Sequence, residues 1–300
     1  MSATMLQMVQ QVSAELNLPI PTYVAGNPDT NVQQILALMN GAGYELLKEY
    51  DWQMLEKEFR FYTNFVNATA TSVKGSYVLT NVSNTNGLTT QYSITGYNVN
   101  QDTYVSSVDS ATQVTMSQEA GGTGTNSVLF AQTIYNLPFD FETITDRTHW
   151  DKTKHWEMLG PEDAQQWQWL KSGYISTGPR VRWRILGGTF QIWPPMNTQE
   201  YLGFEYRSNA WAQDANGNPE QQLVNDTDTS LFDTRIMVIY TKLKYFQIKG
   251  FDTSSLTQDY QRYLSIAKAN DKGTPNLSFN PNPSKVLIGW ANIPDTGYGT

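Results

Sequence analysis

Apolar residues at Met5, Val9, Val12 and Leu16 fall on one stripe of a helix that ends near Pro19. A second stripe, Ile35, Leu36, Met39, Ala42, Leu46 and Leu47, follows Thr30-x-x-Gln33, a capping-box spacing. Gly41 and Gly43 on that helix read as sites of close helix approach. It runs out around Tyr50-Asp51-Trp52, and Glu56 to Phe65 then alternates as a strand. Further on, Gly160-Pro161-Glu162-Asp163 predicts a helix start, with proline at the first helical position and Trp167 and Leu170 on the inward face. Arg180 to Ile185 alternates strictly, Gly187-Gly188 makes a two-residue turn, and Thr189 to Trp193 returns as the second arm of a hairpin. Tyr201 to Tyr206 supplies another strand. A third long helix is expected from Ser230-x-x-Asp233, burying Phe232, Ile236, Ile239, Tyr240, Leu243 and Phe246. After a break at Gly250, a fourth helix carries Leu256, Tyr260, Tyr263, Leu264 and Ala267.

Composition changes this picture in the middle of the chain. From Asn67 to Ser127 the only charged residues are Lys74, Asp102, Asp109 and Glu119, and Ser, Thr, Asn and Gly dominate. Strand-like runs at Ser76–Val82, Thr103–Val108 and Gln113–Ser117 suggest a small β-sandwich or barrel; a low-complexity linker is the alternative. By contrast, Leu137 to Pro195 holds six of the nine tryptophans, which argues for a packed hub. The expected fold is therefore α+β: a helical bundle of about four helices from both termini with a small antiparallel β-sheet, plus an inserted all-β module and an extended C-terminal tail. The corresponding divisions are 1–66 with 128–272 as the core, 67–127 as the insert and 273–300 as the tail.

The formal net charge of −8 disfavours tight non-specific binding to nucleic acid. The absence of cysteine excludes disulfides, thiolate metal sites and a cysteine nucleophile. The N-terminal residues do not read as a secretory signal, and no apolar run is long enough for a membrane helix, so no membrane partner is expected. No phosphate-binding loop, dinucleotide fingerprint, hydrolase elbow or zinc-protease motif occurs. His149 and His155 flank Trp150 and lack further ligands in the sequence, leaving a metal reading against plain hydrogen bonding. Asp226, Asp228 and Ser230 imitate the start of a calcium loop, but Leu231 and Met237 stand where it needs Gly and Glu. Glu162 and Asp163 are an acid pair that a helix first turn already explains. No catalytic, cofactor-binding or metal-binding residue is therefore assigned, and the chain is not expected to be an enzyme. Arg180, Arg182 and Arg184 share one strand face, which fits a phosphate contact or, in an acidic protein, a row of inter-subunit ion pairs. In the Pro- and Asn-rich tail, Val286, Leu287, Ile288 and Trp290 form an apolar knot expected to dock on a partner or on the protein's own hub.

Several stretches stand out together: the helical pair ending in Tyr50-Asp51-Trp52, Leu137-Pro138-x-Asp140-Phe141, Asp146-Arg147-x-x-Trp150, Pro161 to Trp169, Gly178-Pro179-Arg180, Arg184-x-x-Gly187-Gly188, Pro194-Pro195, Phe204-Glu205-Tyr206 and Asp228-Thr229-Ser230-Leu231. In this combination the chain resembles the head-to-tail adaptor (connector) proteins of short-tailed, podovirus-type bacteriophages. The stretch Gly75 to Thr115 is similar to a β-insert of several phage structural proteins and departs from the shortest adaptors. The resemblance implies a structural virion protein at the head–tail interface, assembled in the host cytoplasm. It implies a homo-oligomeric, typically dodecameric ring that joins the portal protein to the tail nozzle protein and can meet tail fibres. DNA would pass through the ring without specific binding. It makes the portal or an adjacent subunit the acceptor of the tail knot. The competing reading is a carbohydrate- or receptor-binding tail module.

Overall fold

A computed structural model of the protein describes residues 3–173 and 180–272. Five helices occur among these: α1 (Met5–Glu15), α2 (Thr30–Glu49), α3 (Ala164–Lys171), α4 (Thr234–Lys249) and α5 (Ser254–Lys272). Their caps explain their limits. Thr4 and Gln7 form a capping box on α1, and Asp29, Asp163 and Asp233 cap α2, α3 and α4. Gly250, in the left-handed conformation, ends α4. Two expected starts therefore move. Pro161 lies outside α3, in a segment where Leu159 and Glu162 bond to the backbone of Val181 and Trp183, and Ser230 belongs to a strand rather than to a helix cap.

Seventeen strands in four sheets make up most of the remaining regular structure among the described residues. β1 (Glu56–Tyr62) is followed by six strands that build one sheet: β2 (Phe65–Ser72), β3 (Val78–Leu79), β4 (Tyr92–Gly96), β5 (Thr103–Ser110), β6 (Gln113–Met116) and β7 (Gly124–Gln132). Its order is β2-β7-β4-β5-β6-β3, and paired bonds between Thr71 and Thr80 bring β3 back beside β2. The sheet thus nearly closes into a barrel, which removes exposed edges. Small inward residues, Ala68 and Ala70, leave room for Ile94, Met116 and Phe130 in the barrel core.

The chain then lays down β8 (Ile134–Asn136), β9 (Phe141–Ile144), β10 (Trp150–Asp151) and β11 (Trp156–Glu157). Beyond α3 come β12 (Arg182–Leu186), β13 (Thr189–Trp193) and β14 (Tyr201–Ser208). β1, β14, β10, β11 and β9 form one sheet, and β12, β13 and β8 another. Their facing sides meet through an aromatic stack: Trp183 on Phe190 at 5.3 Å between ring centroids, and Phe190 on Phe204 at 4.9 Å. Trp167, Trp183 and Trp193 are buried here, whereas Trp156 and Trp169 reach solvent. Short strands β15 (Ala212–Gln213), β16 (Pro219–Glu220) and β17 (Thr229–Ser230) complete the set.

This corrects the expected helical bundle with a small sheet. The protein is mostly β, with several sheets. Four of the five helices, α1, α2, α4 and α5, share a core with Trp52, Trp211 and Phe232, while α3 packs on Trp193 of β13. The physical reason is that most ladders join residues far apart in sequence, such as Phe59 with Phe204, so local periodicity does not reveal them. Several strands are only two residues long and exist solely because a partner strand is present. Among the described residues, no helix is long and apolar enough to cross a membrane.

Candidate interaction surfaces

The arginine row sits on the β12–β13 hairpin. Gly187 and Gly188 both take positive φ, +58° and +73°, the conformation a tight two-residue hairpin turn demands. Val181 and Trp183 point into the core, which places Arg182 and Arg184 on the opposite face of the strand, half-buried, with Arg180 exposed. Arg182 is committed within the chain: its guanidinium donates to Glu162 at 2.5 Å. Among the described residues Arg180 and Arg184 have no carboxylate partner, so two of the three remain candidates for contact between subunits. The tail knot of Val286, Leu287, Ile288 and Trp290 lies outside the described residues.

The acids considered for chemistry hold structural posts. Glu162 carries the Arg182 ion pair, and Asp163 accepts the Gln166 amide at 2.7 Å as the α3 cap. His149 is buried against Trp183, 4.9 Å between rings, and burial depresses its pKa despite Glu157 at 3.8 Å. His155 does not join it in any metal-binding group: among the described residues no cluster of three or more His, Asp or Glu is placed to hold a metal ion. Asp226 accepts the backbone N–H groups of Val24 and Ala25, at 2.9 and 2.8 Å.

Asp140 is more central than its place in the sequence indicates. Its buried carboxylate accepts from Lys57 Nζ at 2.6 Å, Tyr206 Oη at 2.9 Å and Ser208 Oγ at 2.6 Å. Burial opposes its ionisation, and these three donors outweigh that, holding the carboxyl below its usual range. The network pins β9 and the Pro138-Phe139 turn to β1 and β14.

That turn borders an open groove of about 650 Å³ lined by Tyr44, Phe139, Glu142, Asn209, Glu220 and Gln222, among others. Phe139 is 69% exposed and Tyr44 58%. A second groove, about 520 Å³, lies between Trp52, the start of α4 and the outer half of α5, with Met54, Ile236 and Ile266 in its wall. The helical region is stitched by ion pairs running from acids of α1 and α2 to bases of α4 and α5: Glu15 with Lys242, Glu45 with Lys244, Glu49 with Lys268. Ile248 and Phe251, at the α4–α5 turn, and Ile266, by the start of α4, nevertheless stay exposed. Sequence reasoning missed both grooves. Their walls combine residues from distant segments, and only the exposed Phe139 inside Leu137-Pro138-x-Asp140-Phe141 carried a local signal.

No protein-family model matches this chain, and no curated protein matches it either.

Proposed function

We propose that the chain is a structural virion protein, a head-to-tail adaptor whose copies form a ring joining a portal to a tail nozzle around the DNA channel. The observation that carries this reading is the helical region. Helices from both ends of the chain, α1 and α2 with α4 and α5, share one core, yet Ile248, Phe251 and Ile266 stay uncovered on α4, the α4–α5 turn and α5. Ile248 and Phe251 lie three residues apart at the α4–α5 turn, and Ile266 borders the groove at the other end of α4; exposed apolar side chains at these two places suit protein contacts. In a ring the same surfaces would be covered by the next copy, and Arg180 and Arg184 would supply the polar part of that contact. The net charge of −8 suits a conduit that DNA slides through without sticking. Electron-microscopy class averages of the purified protein mixed with the head and tail proteins of its own particle test the reading. Rings seated between portal and tail support it; particles in which this protein decorates only a fibre or the outer surface oppose it.

The open groove favours a second reading, a carbohydrate- or receptor-binding tail module. Exposed rings such as Tyr44 and Phe139 beside the amides of Asn209 and Gln222 and the Glu142 carboxylate are groups that stack on and hydrogen-bond to sugars. Saturable glycan binding by a strict monomer, abolished in Phe139→Ala, would select this reading over the ring.

A further inference from the structure

Strands β15, β16 and β17 and the loops between them form a clasp. Ala212 pairs with Glu220 on one side and with Ser230 on the other. The clasp holds the N-terminal part of the chain in place. The Asp228 carbonyl accepts the Met5 N–H at 2.7 Å, and the Asp226 carbonyl accepts that of Leu6 at 3.2 Å. Asn40 of α2 exchanges two bonds with the Leu223 backbone, at 3.1 and 2.9 Å.

At the centre of the clasp two carboxyl groups meet. Asp228 is 0% exposed, and its Oδ2 accepts the N–H groups of Val224 at 2.7 Å and Asn225 at 2.6 Å. Among the described residues its buried Oδ1 has no donor, and neither has the buried Oε2 of Glu220. Two ionised carboxylates here would be unfavourable: Asp228 is fully buried, the Glu220 side chain is half-buried at the groove with Oε2 turned inward, and neither meets a cation among the described residues. One proton between them satisfies both orphan oxygens. It belongs on Glu220, whose ionisation both burial and the neighbouring Asp228 oppose, while Asp228 Oδ2 is already occupied by two backbone donors.

We propose that Glu220 donates a shared proton to Oδ1 of Asp228, and that this proton latches strand β16 to the buried loop anchoring α1. The surrounding charges act in the same direction. Burial, then the Asp228 carboxylate, then Asp214 in the β15–β16 turn all push the Glu220 pKa upward. Across the groove, Glu142 is held by Lys48 of α2, and Asp226 faces Val24 and Ala25. A carboxyl whose pKa is raised on folding contributes stability that is complete below its unfolded pKa and is lost as pH rises through the folded value. The latch therefore closes in acid and releases as pH rises. Because Glu220 also lines the groove with Tyr44 and Phe139, its ionisation reaches that surface directly.

Hydrogen exchange on the full chain tests this, read at the Met5 and Leu6 amides and corrected for the intrinsic pH dependence of exchange. In the wild type their protection should fall on the order of tenfold for each pH unit by which Glu220 is shifted upward, as pH passes through its pKa. Glu220→Gln offers a permanent N–H donor to Asp228, so protection should stay high and flat with pH. Protection independent of pH in the wild type, or an undiminished pH dependence in Glu220→Gln, overturns the proposal. Protection restored by calcium at neutral pH overturns it too, since the orphan oxygens would then hold a cation. If the variant fails to fold, side-chain carboxyl ¹³C shifts of the wild type decide. Glu220 titrating above the ordinary carboxylate range supports the latch, and titration within that range refutes it.

Discussion

Two glycines on one helix should respond to alanine with opposite signs. Gly41 and Gly43 both lie inside α2, where alanine is worth about 1 kcal/mol over glycine in helix propensity. Among the described residues a Cβ at Gly41 would meet nothing within 4 Å, so Gly41→Ala should stabilise by about 0.5–1 kcal/mol. A Cβ at Gly43 would stand 2.3 Å from the Trp211 ring. That ring is fully buried and stacked on Phe232 at 6.2 Å, so it is not the yielding tip of a flexible side chain. Overpacking of this kind costs about 1–3 kcal/mol and here exceeds the propensity gain, because relief requires α2 to separate from the segment that carries Trp211, just before β15. With the overpacking cost in the upper part of that range, Gly43→Ala should be destabilising by up to about 2 kcal/mol net. Urea denaturation followed by tryptophan fluorescence measures both variants. Equal signs for the two, or a stabilised Gly43→Ala, would refute the close-packing argument.

Other consequences are as direct. Asp233→Ala removes the acceptor for the Arg235 and Ile236 amides and should cost about 1 kcal/mol, seen as a lower urea midpoint. Asp140→Ala leaves the buried Tyr206 and Ser208 hydroxyls without their acceptor and Lys57 without its counter-ion, and should cost about 3 kcal/mol. With its folded pKa depressed, Asp140 contributes stability above its unfolded pKa that is lost as pH falls through the folded value. Acid titration of thermal stability should thus be flatter in Asp140→Asn than in the wild type. Trp167→Ala should cost about 3–5 kcal/mol and detach α3, because Trp167 with Leu170 and Trp193 forms its anchoring cluster. Replacing residues 66–130 by a short Gly-Ser linker should leave assembly intact by sedimentation. Phe65 and Ala131 are cross-strand neighbours and the barrel has its own core, so loss of folding would contradict this.

What was legible in the sequence follows interaction range. The stripes of α1, α2, α4 and α5 and the Gly187-Gly188 hairpin depend on neighbours a few residues away, so these elements are readable directly. Their buried faces are less so, since α4 buries Met237, Val238 and Tyr245 where Tyr240 and Phe246 were expected, and α5 buries only Leu264. The sheets were not readable as a dominant architecture. Strands β2 and β7 run through Thr- and Asn-rich sequence whose outward faces are polar, and the composition changes at Asn67 and Ser127 fall inside them. The two-residue strands β10, β11, β15, β16 and β17 have no periodicity at all. The same limit hid the meeting of Glu220 with Asp228: each acid is unremarkable alone, and only the clasp brings their unpartnered oxygens together.

Assembly state is the most direct test of the adaptor account. Native mass measurement of the purified chain, alone and with its portal protein, should show a single closed assembly at a fixed multiple of the chain mass. Exchanging Arg180 and Arg184 for glutamate should dissociate it. A strictly monomeric chain under both conditions would contradict the account.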